Sequence, residues 1–389
     1  MQKHNRFQPQ EPLVSERFRE ARLARGLSIQ EVADRLGVTK QSVSKYELGT
    51  ATPTAEKINT LSEFLNVPVS FFYKPVPSPS NRSTTFFRSL KSNAARAKEV
   101  MLTKSNWGDE LVNQLAREIK YPAINMPQLP KEFENQERFS YDELDAISKH
   151  VRLHWGLGVS PIGNLTHILE KNGIIIIAIN SGFNETDACS AIVNGRPLVF
   201  MDTHKECAVR SRFNLAHELA HLLLHNRIQQ ADLENKKILD RIEKEANQFA
   251  SCFLLPRESF LADIRSSSLE SFLPLKRKWK VSIAAMVYRC KELEIFSESQ
   301  LIYIQKQISA KRWRKEEPYD QEWPCETPIL LSKSIQMLLN RGDFSKDQIS
   351  DKYTLGTDDI IEMCSLPKDF FGTIDNTVVI DFAKKEIVR

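Results

Sequence analysis

No C-x-x-C pair occurs among the six cysteines of this 389-residue chain, and they are scattered from Cys189 to Cys364. That spacing excludes thiolate zinc clips and a disulfide scaffold, and it reads as reduced thiols in a cytoplasmic protein. Long apolar runs are also missing. The longest, GIIIIAI over 173–179, is far too short to cross a bilayer and reads as a buried strand. The opening MQKHNRFQPQEPLVSERF lacks the apolar core of a signal peptide. Charge of one sign is scarce: the net value is +4, so any nucleic-acid binding needs a local basic patch. What remains is a soluble chain with no membrane partner. Its 41% hydrophobic and 27% charged residues fit a globular protein, and its length calls for two or three domains.

Punctuation along the chain suggests where those domains divide. Residues 1–14 are polar and expected to be a disordered tail. From 15 to 73 the pattern is five short helices. In the first, Phe18, Ala21 and Leu23 point inward; Ser28 and Glu31 form a capping box that opens the second, and Thr39 caps the third after a turn at Gly37. The Pro/Ser run KPVPSPSNRSTT begins a stretch of linker and connecting helices over 74–139. A capping box at Ser140 and Glu143 starts the next domain, 140–300. Pro161 and Gly173 bracket a helix there, and Asn194-Gly195 signals a hairpin. Residues 301–389 read as a small α/β region of unknown role, with a strand at NTVVIDFA (376–383). The expected fold class is α+β and mostly helical.

Helix, glycine turn, helix is the geometry that offers a second helix to the major groove. In TKQSVSKYE, Val43 and Tyr46 can pack inward while Lys40, Gln41, Ser44 and Lys45 face out. Gln suits adenine, Lys reaches guanine, and Thr39 and Ser42 suit phosphates. The same spacing also fits an ordinary helical bundle with a solvated polar face. The stretch RLARGLSIQEVADRLGVTKQSVSKYELGTATPTAEKINTLSEFLNVPVSFFY resembles the Cro/CI-type (xenobiotic-response-element) helix-turn-helix family almost throughout. That resemblance implies a five-helix DNA-binding domain acting as a homodimer on double-stranded, palindromic operator DNA.

FNLAHELAHLLLH carries the second motif. His217 and His221, four apart on one helix face, can both reach a single Zn²⁺. Glu218 lies about 100° further round the helix, where it can meet the attacking water rather than the metal. Zinc needs another ligand, and RIEKEANQFASCFLLP puts Glu243 and Asn247 on one face. Glu243 could ligate, Asn247 could orient a ligating histidine, and Glu245 points elsewhere. A solvated acidic face is the competing reading of that helix. His225, one turn beyond His221, is expected to cap or pack. His150, His154, His167 and His204 have no partner in the pattern and read as ordinary structural or surface residues.

The E-x-x-x-N spacing parallels the E-x-x-x-D of gluzincin proteases. The blocks VRLHWGLGVSPIGNLTHILEKNGI, DACSAI…RPLVFM, RFNLAHELAHLLLH and EKEANQFASCFLLP resemble, in order, the ImmA/IrrE family of metallopeptidases over residues 148–290. This implies a zincin-like helical domain with a small β-sheet and zinc-dependent cleavage of a repressor in a phage, mobile-element or stress regulon. It implies His217, His221 and Glu243 as ligands and Glu218 as general base. The expected function is a DNA-binding regulator with a zinc endopeptidase that cuts itself or a partner repressor. A non-proteolytic factor whose peptidase-like domain senses a ligand or metal is the alternative, and an antitoxin-like binding protein is a third reading.

Overall fold

The structure, a computed structural model, describes residues 12–77, 86–87, 95–184, 188–204 and 207–372. The strand expected at 376–383 lies outside them. The fold is mostly helical with one small sheet.

The N-terminal unit is built from α1 (Ser15–Ala24), α2 (Ile29–Leu36), α3 (Lys40–Glu47), α4 (Ala55–Leu65) and a 3₁₀ turn at Val69–Tyr73. Local chemistry sets its boundaries. The Ser28–Glu31 capping box is present, Gly37 ends α2 in the left-handed region, and the Thr39 hydroxyl accepts from the Ser42 N–H. Phe18, Ala21, Val32, Val43, Ile58, Leu61 and Phe72 fill its core, with Phe18 stacked on Phe72 at 4.8 Å. Leu23 and Tyr46, expected inside, are only half-buried. Two arginines of α1 take the interior instead. Arg22 pairs with Glu47 at 2.6 Å, and Arg17 donates to Glu110 at 2.9 Å.

Glu110 belongs to α5 (Ala95–Leu115), which falls inside the stretch expected to hold linker and connecting helices. It is a core element. Trp107, Leu111 and Leu115 are buried between Phe71 and Phe72 on one side and Ile175, Ile177 and Ile179 of the sheet on the other. The sheet comprises β1 (Phe86–Phe87), β2 (Ile175–Ile179), β3 (Ala188–Val193) and β4 (Arg196–Asp202), in the order β1-β3-β4-β2. β3 and β4 form the expected hairpin, with Asn194 and Gly195 both at positive φ as a tight primed turn demands. β2 runs parallel to β4, and β1 antiparallel to β3.

Strand periodicity makes this sheet the partition of the molecule. Ile175, Ile177, Leu198 and Phe200 face the first core, whereas Ile174, Ile176, Val199 and Met201 face a second. The second core is enclosed by α6 (Tyr141–His154), α7 (Leu165–Lys171), α8 (Ala208–Leu224), α9 (Lys236–Leu254), α10 (Arg257–Asp263), α11 (Phe272–Trp279), α12 (Ile283–Glu292) and α13 (Glu298–Ala310). α7 starts later than Pro161 suggested. Asn164 caps it, and the buried Arg212 guanidinium donates to the Ile162 carbonyl, which keeps the preceding residues out of the helix.

The described part of the C-terminal region is helical: α14 (Leu330–Arg341), α15 (Ile349–Tyr353) and α16 (Thr357–Met363). These helices return to the first core, where Leu331, Ile335, Tyr353 and Ile360 pack. Arg25 of α1 pairs with Asp359 at 2.6 Å, Asn66 donates to Asp358 at 2.7 Å, and Lys104 reaches Glu362 at 3.2 Å. Burial pushes the Glu362 carboxyl up to about 7. At Gly356 the approach leaves no room for a side chain, since an added Cβ would run into the Asn66 carbonyl oxygen. Gly356→Ala is therefore expected to lose about 1–3 kcal/mol of stability in chemical denaturation, the cost of overpacking against backbone.

Candidate metal centre

The α8 sequence AVRSRFNLAHELAHLLL keeps most of its length apolar, so the helix is buried nearly all round. His217 and His221 are consequently carried inside, exposed by only 6% and 1%. α9 packs alongside and brings Glu243 to them. The two imidazole Nε2 atoms stand 3.0 Å apart, and each lies 3.5 Å from a Glu243 carboxylate oxygen. Among the described residues these three form a group able to hold a metal ion.

The donor set fits zinc on this structure's own terms. Ligand atoms about 2.0–2.1 Å from a tetrahedral ion stand roughly 3.3 Å apart, close to the observed triangle. Glu243 Oε2 is buried with no hydrogen-bond partner, which is costly unless a cation supplies the missing interaction. Burial pushes the His221 imidazole down to about 3, so it is neutral and its lone pair is available at pH 7. Burial alone would raise the Glu243 carboxyl, but His217 and His221 beside it hold it well below the usual carboxylate range. It is ionised throughout the working range.

A second ring of contacts orients the ligands. Asn247 meets His217 Nδ1 through Oδ1 at 3.3 Å, and its amide nitrogen donates to the Glu243 carbonyl at 2.7 Å. Behind His221 lies a chain that sequence reasoning missed. His221 Nδ1 is 3.0 Å from His225 Nδ1, and His225 Nε2 is 3.0 Å from Glu245 Oε2, whose other oxygen accepts from the Phe139 N–H at 3.3 Å. His225 does occupy the C-cap position of α8, but its ring also continues the polar chain. Glu245 is not near the triangle; it anchors the histidine that positions a ligand. One signal for this was legible: Glu245 falls three residues after Ile242 and four before Phe249, on the apolar face of α9. His225→Ala is expected to weaken zinc binding about 10–100-fold while leaving the helix in place, as measured by competition with a chromophoric chelator.

Glu218 turns toward β3, where its Oε2 accepts from the Ser190 hydroxyl at 2.6 Å. It is 4% exposed and outside the ligand triangle. A cavity of about 440 Å³ opens beside the centre, lined by Phe213, Asp240, Glu243, Lys244, Asn247 and Tyr288. In the N-terminal unit, Thr39, Lys40, Gln41 and Lys45 are exposed along α3, and Ser42 and Ser44 are half-buried. The Thr39 and Ser42 hydroxyls engage each other at 3.0 Å.

Two family models match the chain: residues 18–72 fit a helix-turn-helix model and residues 170–291 the IrrE N-terminal-like domain of Peptidase_M78. The chain joins a helix-turn-helix domain to an IrrE N-terminal-like peptidase domain. Similar proteins include an uncharacterized HTH-type transcriptional regulator of Sinorhizobium medicae (strain WSM419), 41% identical over 64 residues, 16% of this chain and 46% of that protein. The SPbeta prophage-derived uncharacterized HTH-type transcriptional regulator YonR of Bacillus subtilis (strain 168) is 39% identical over 62 residues, 16% of this chain and 57% of that protein. The cryptic phage CTXphi transcriptional repressor RstR of Vibrio cholerae is 36% identical over 58 residues, 15% of this chain and 52% of that protein. The chain thus spans about half the length of the curated relatives it matches. No helix among the described residues is long and apolar enough to cross a membrane.

Proposed function

We propose that this protein is an operator-binding transcriptional regulator whose second domain is a zinc-dependent endopeptidase that cleaves a repressor, either its own chain or a partner. The observation that carries this reading is the convergence of His217, His221 and Glu243 with Glu218 set one residue outside them. His217, His221 and Glu243 would hold the ion, oriented by Asn247 and by His225 with Glu245. When bound, zinc supplies Lewis-acid polarisation of a peptide carbonyl and makes water a better nucleophile near neutral pH. Glu218 takes a proton from the attacking water and delivers it to the leaving amide nitrogen. Ser190 holds the carboxylate on the strand side while it does so. The cavity beside Glu243 and Asn247 accepts a bulky side chain next to the scissile bond, with Phe213 and Tyr288 as its apolar walls.

The DNA half of the proposal assigns Lys40, Gln41, Ser44 and Lys45 to base edges, and Thr39 and Ser42 to phosphates. The protein would act in the cytoplasm as a homodimer on a palindromic site. The relatives' names as regulators and a phage repressor support an operator-binding role. A non-proteolytic sensor is the second reading. One observation favours it: the helix-turn-helix shares a continuous buried core with α5, one face of the sheet and α14–α16, which gives the metal domain a rigid path to the DNA reader. Incubating the zinc-loaded protein with a helix-turn-helix repressor and following both chains decides between them. Turnover of either chain that stops on adding a chelator is expected; both chains left intact under zinc-replete conditions reject the proteolytic reading.

A further inference from the structure

A second cavity, of about 430 Å³, opens at the start of α8 and shares no lining residue with the one beside Glu243. Val209 and Arg212 of α8, His167 of α7, Lys280 at the end of α11, and Trp323 and Ile329 of the segment joining α13 to α14 form its walls. That volume suits a small organic molecule. Its polar groups are mostly committed. Arg212, 2% exposed, donates to Glu326 Oε1 and to the Ile162 carbonyl at 2.9 Å. The other Glu326 oxygen accepts from the Thr166 N–H at 2.9 Å and from its hydroxyl at 3.2 Å, so this carboxylate is spent. Two cationic donors are left over. Arg212 Nε is buried with no hydrogen-bond partner, a cost that an acceptor brought into the cavity removes. Lys280 is exposed and forms no ion pair among the described residues. Around them the half-buried Trp323 indole, Val209 and Ile329 offer an apolar seat.

We infer that this cavity is an effector site for a small monoanion with a planar apolar body, an aromatic carboxylate. Its ring lies against Trp323, Val209 and Ile329, while its carboxylate accepts from Arg212 Nε and pairs with Lys280. Glu326 sets the charge, because a dianion such as a phosphate monoester would face that fixed carboxylate with a single unpaired lysine to offset it. Such a site works equally with a centre that cuts and one that only reports. What makes the occupant an effector is where the walls lead. α8 carries His217 and His221. On the other side, Ile329 and Leu330 donate to Glu170 at 3.1 and 2.9 Å, and from Leu331 onward α14 packs in the core that holds the helix-turn-helix. A molecule held between α8 and this segment therefore bears on both domains, stiffening the lead into α14 as it binds.

The test titrates the full-length chain with 2-naphthoate and with its neutral match 2-naphthamide, by calorimetry, and follows hydrogen exchange by mass spectrometry. The expected result is saturable binding of naphthoate to a single site, at least about tenfold tighter than naphthamide, the worth of one charge-assisted hydrogen bond. Lys280→Asn removes the charge with a residue that tolerates the left-handed backbone there, φ 52°. It should weaken naphthoate about tenfold and leave naphthamide unchanged, which also shows that the cavity has survived the substitution. Peptides covering residues 323–341 should exchange more slowly with naphthoate bound. Absence of saturable naphthoate binding would overturn the site. Equal affinities for the two probes, or naphthoate binding indifferent to Lys280→Asn, would overturn the anion assignment. Binding that leaves exchange over 323–341 unchanged would overturn the effector role.

Discussion

Glu218→Gln should keep one equivalent of zinc and lose about 10²–10⁴-fold in peptide hydrolysis, the range for removing a positioned general base. The two halves of that result have separate causes. Zinc is retained because the donor atoms belong to His217, His221 and Glu243, and Glu218 is not among them. Glutamine has nearly the shape of glutamate, and its amide oxygen can still accept the Ser190 hydroxyl that now reaches Oε2 at 2.6 Å. Neither the β3 contact nor the packing of α8 has reason to change. What disappears is basicity, since an amide does not accept a proton at neutral pH. Metal content by elemental analysis and turnover on the same preparation check both halves. A variant with full activity would remove Glu218 from the mechanism.

What could be read in advance followed the range of the interaction. Capping boxes at Ser28–Glu31 and Ser140–Glu143 are contained within four residues, and both are present. The H-E-x-x-H helix and the face of Glu243 depend only on helix periodicity, and the structure brings them together. Long-range partners were not legible. Arg17 finds Glu110 93 residues away, and Arg25 finds Asp359 334 residues away. Sequence gives no distance term for such pairs. That the α5 stretch is helical was legible, but its burial was hidden for a related reason. Lys98 and Lys104 make its stretch look like a solvated basic connector, yet Lys104 is buried, donating to the Asn180 carbonyl at 2.9 Å and to Glu362. A helix buried on two opposite sides shows no single apolar stripe. Helix periodicity also set His225 off the ligand face, and the structure uses it one contact further back, against His221.

Glu243→Ala is expected to weaken zinc binding at least about a hundredfold, since a bound zinc worth about 10–16 kcal/mol shared over its ligands leaves a few kcal/mol for each. The fold should survive. Glu243 Oε2 is a buried acceptor without a hydrogen bond, and the carboxylate stands 3.5 Å from His217 and His221, so truncation leaves no strong bond unmade. Its helix is anchored independently by Ala246, Phe249 and Phe253 in the second core. The helix-turn-helix belongs to the first core and that helix to the second, on opposite faces of the sheet. Operator affinity, read by fluorescence anisotropy at fixed salt, is accordingly expected to match the wild type while repressor cleavage is lost. The same pair of measurements separates cutting from reporting. A metal that only reports must bind the two DNA-affinity states differently, and its loss must then shift operator affinity by the same coupling factor. A regulator that cuts has no such requirement, because its uncut chain reads the operator equally well with the centre empty or full.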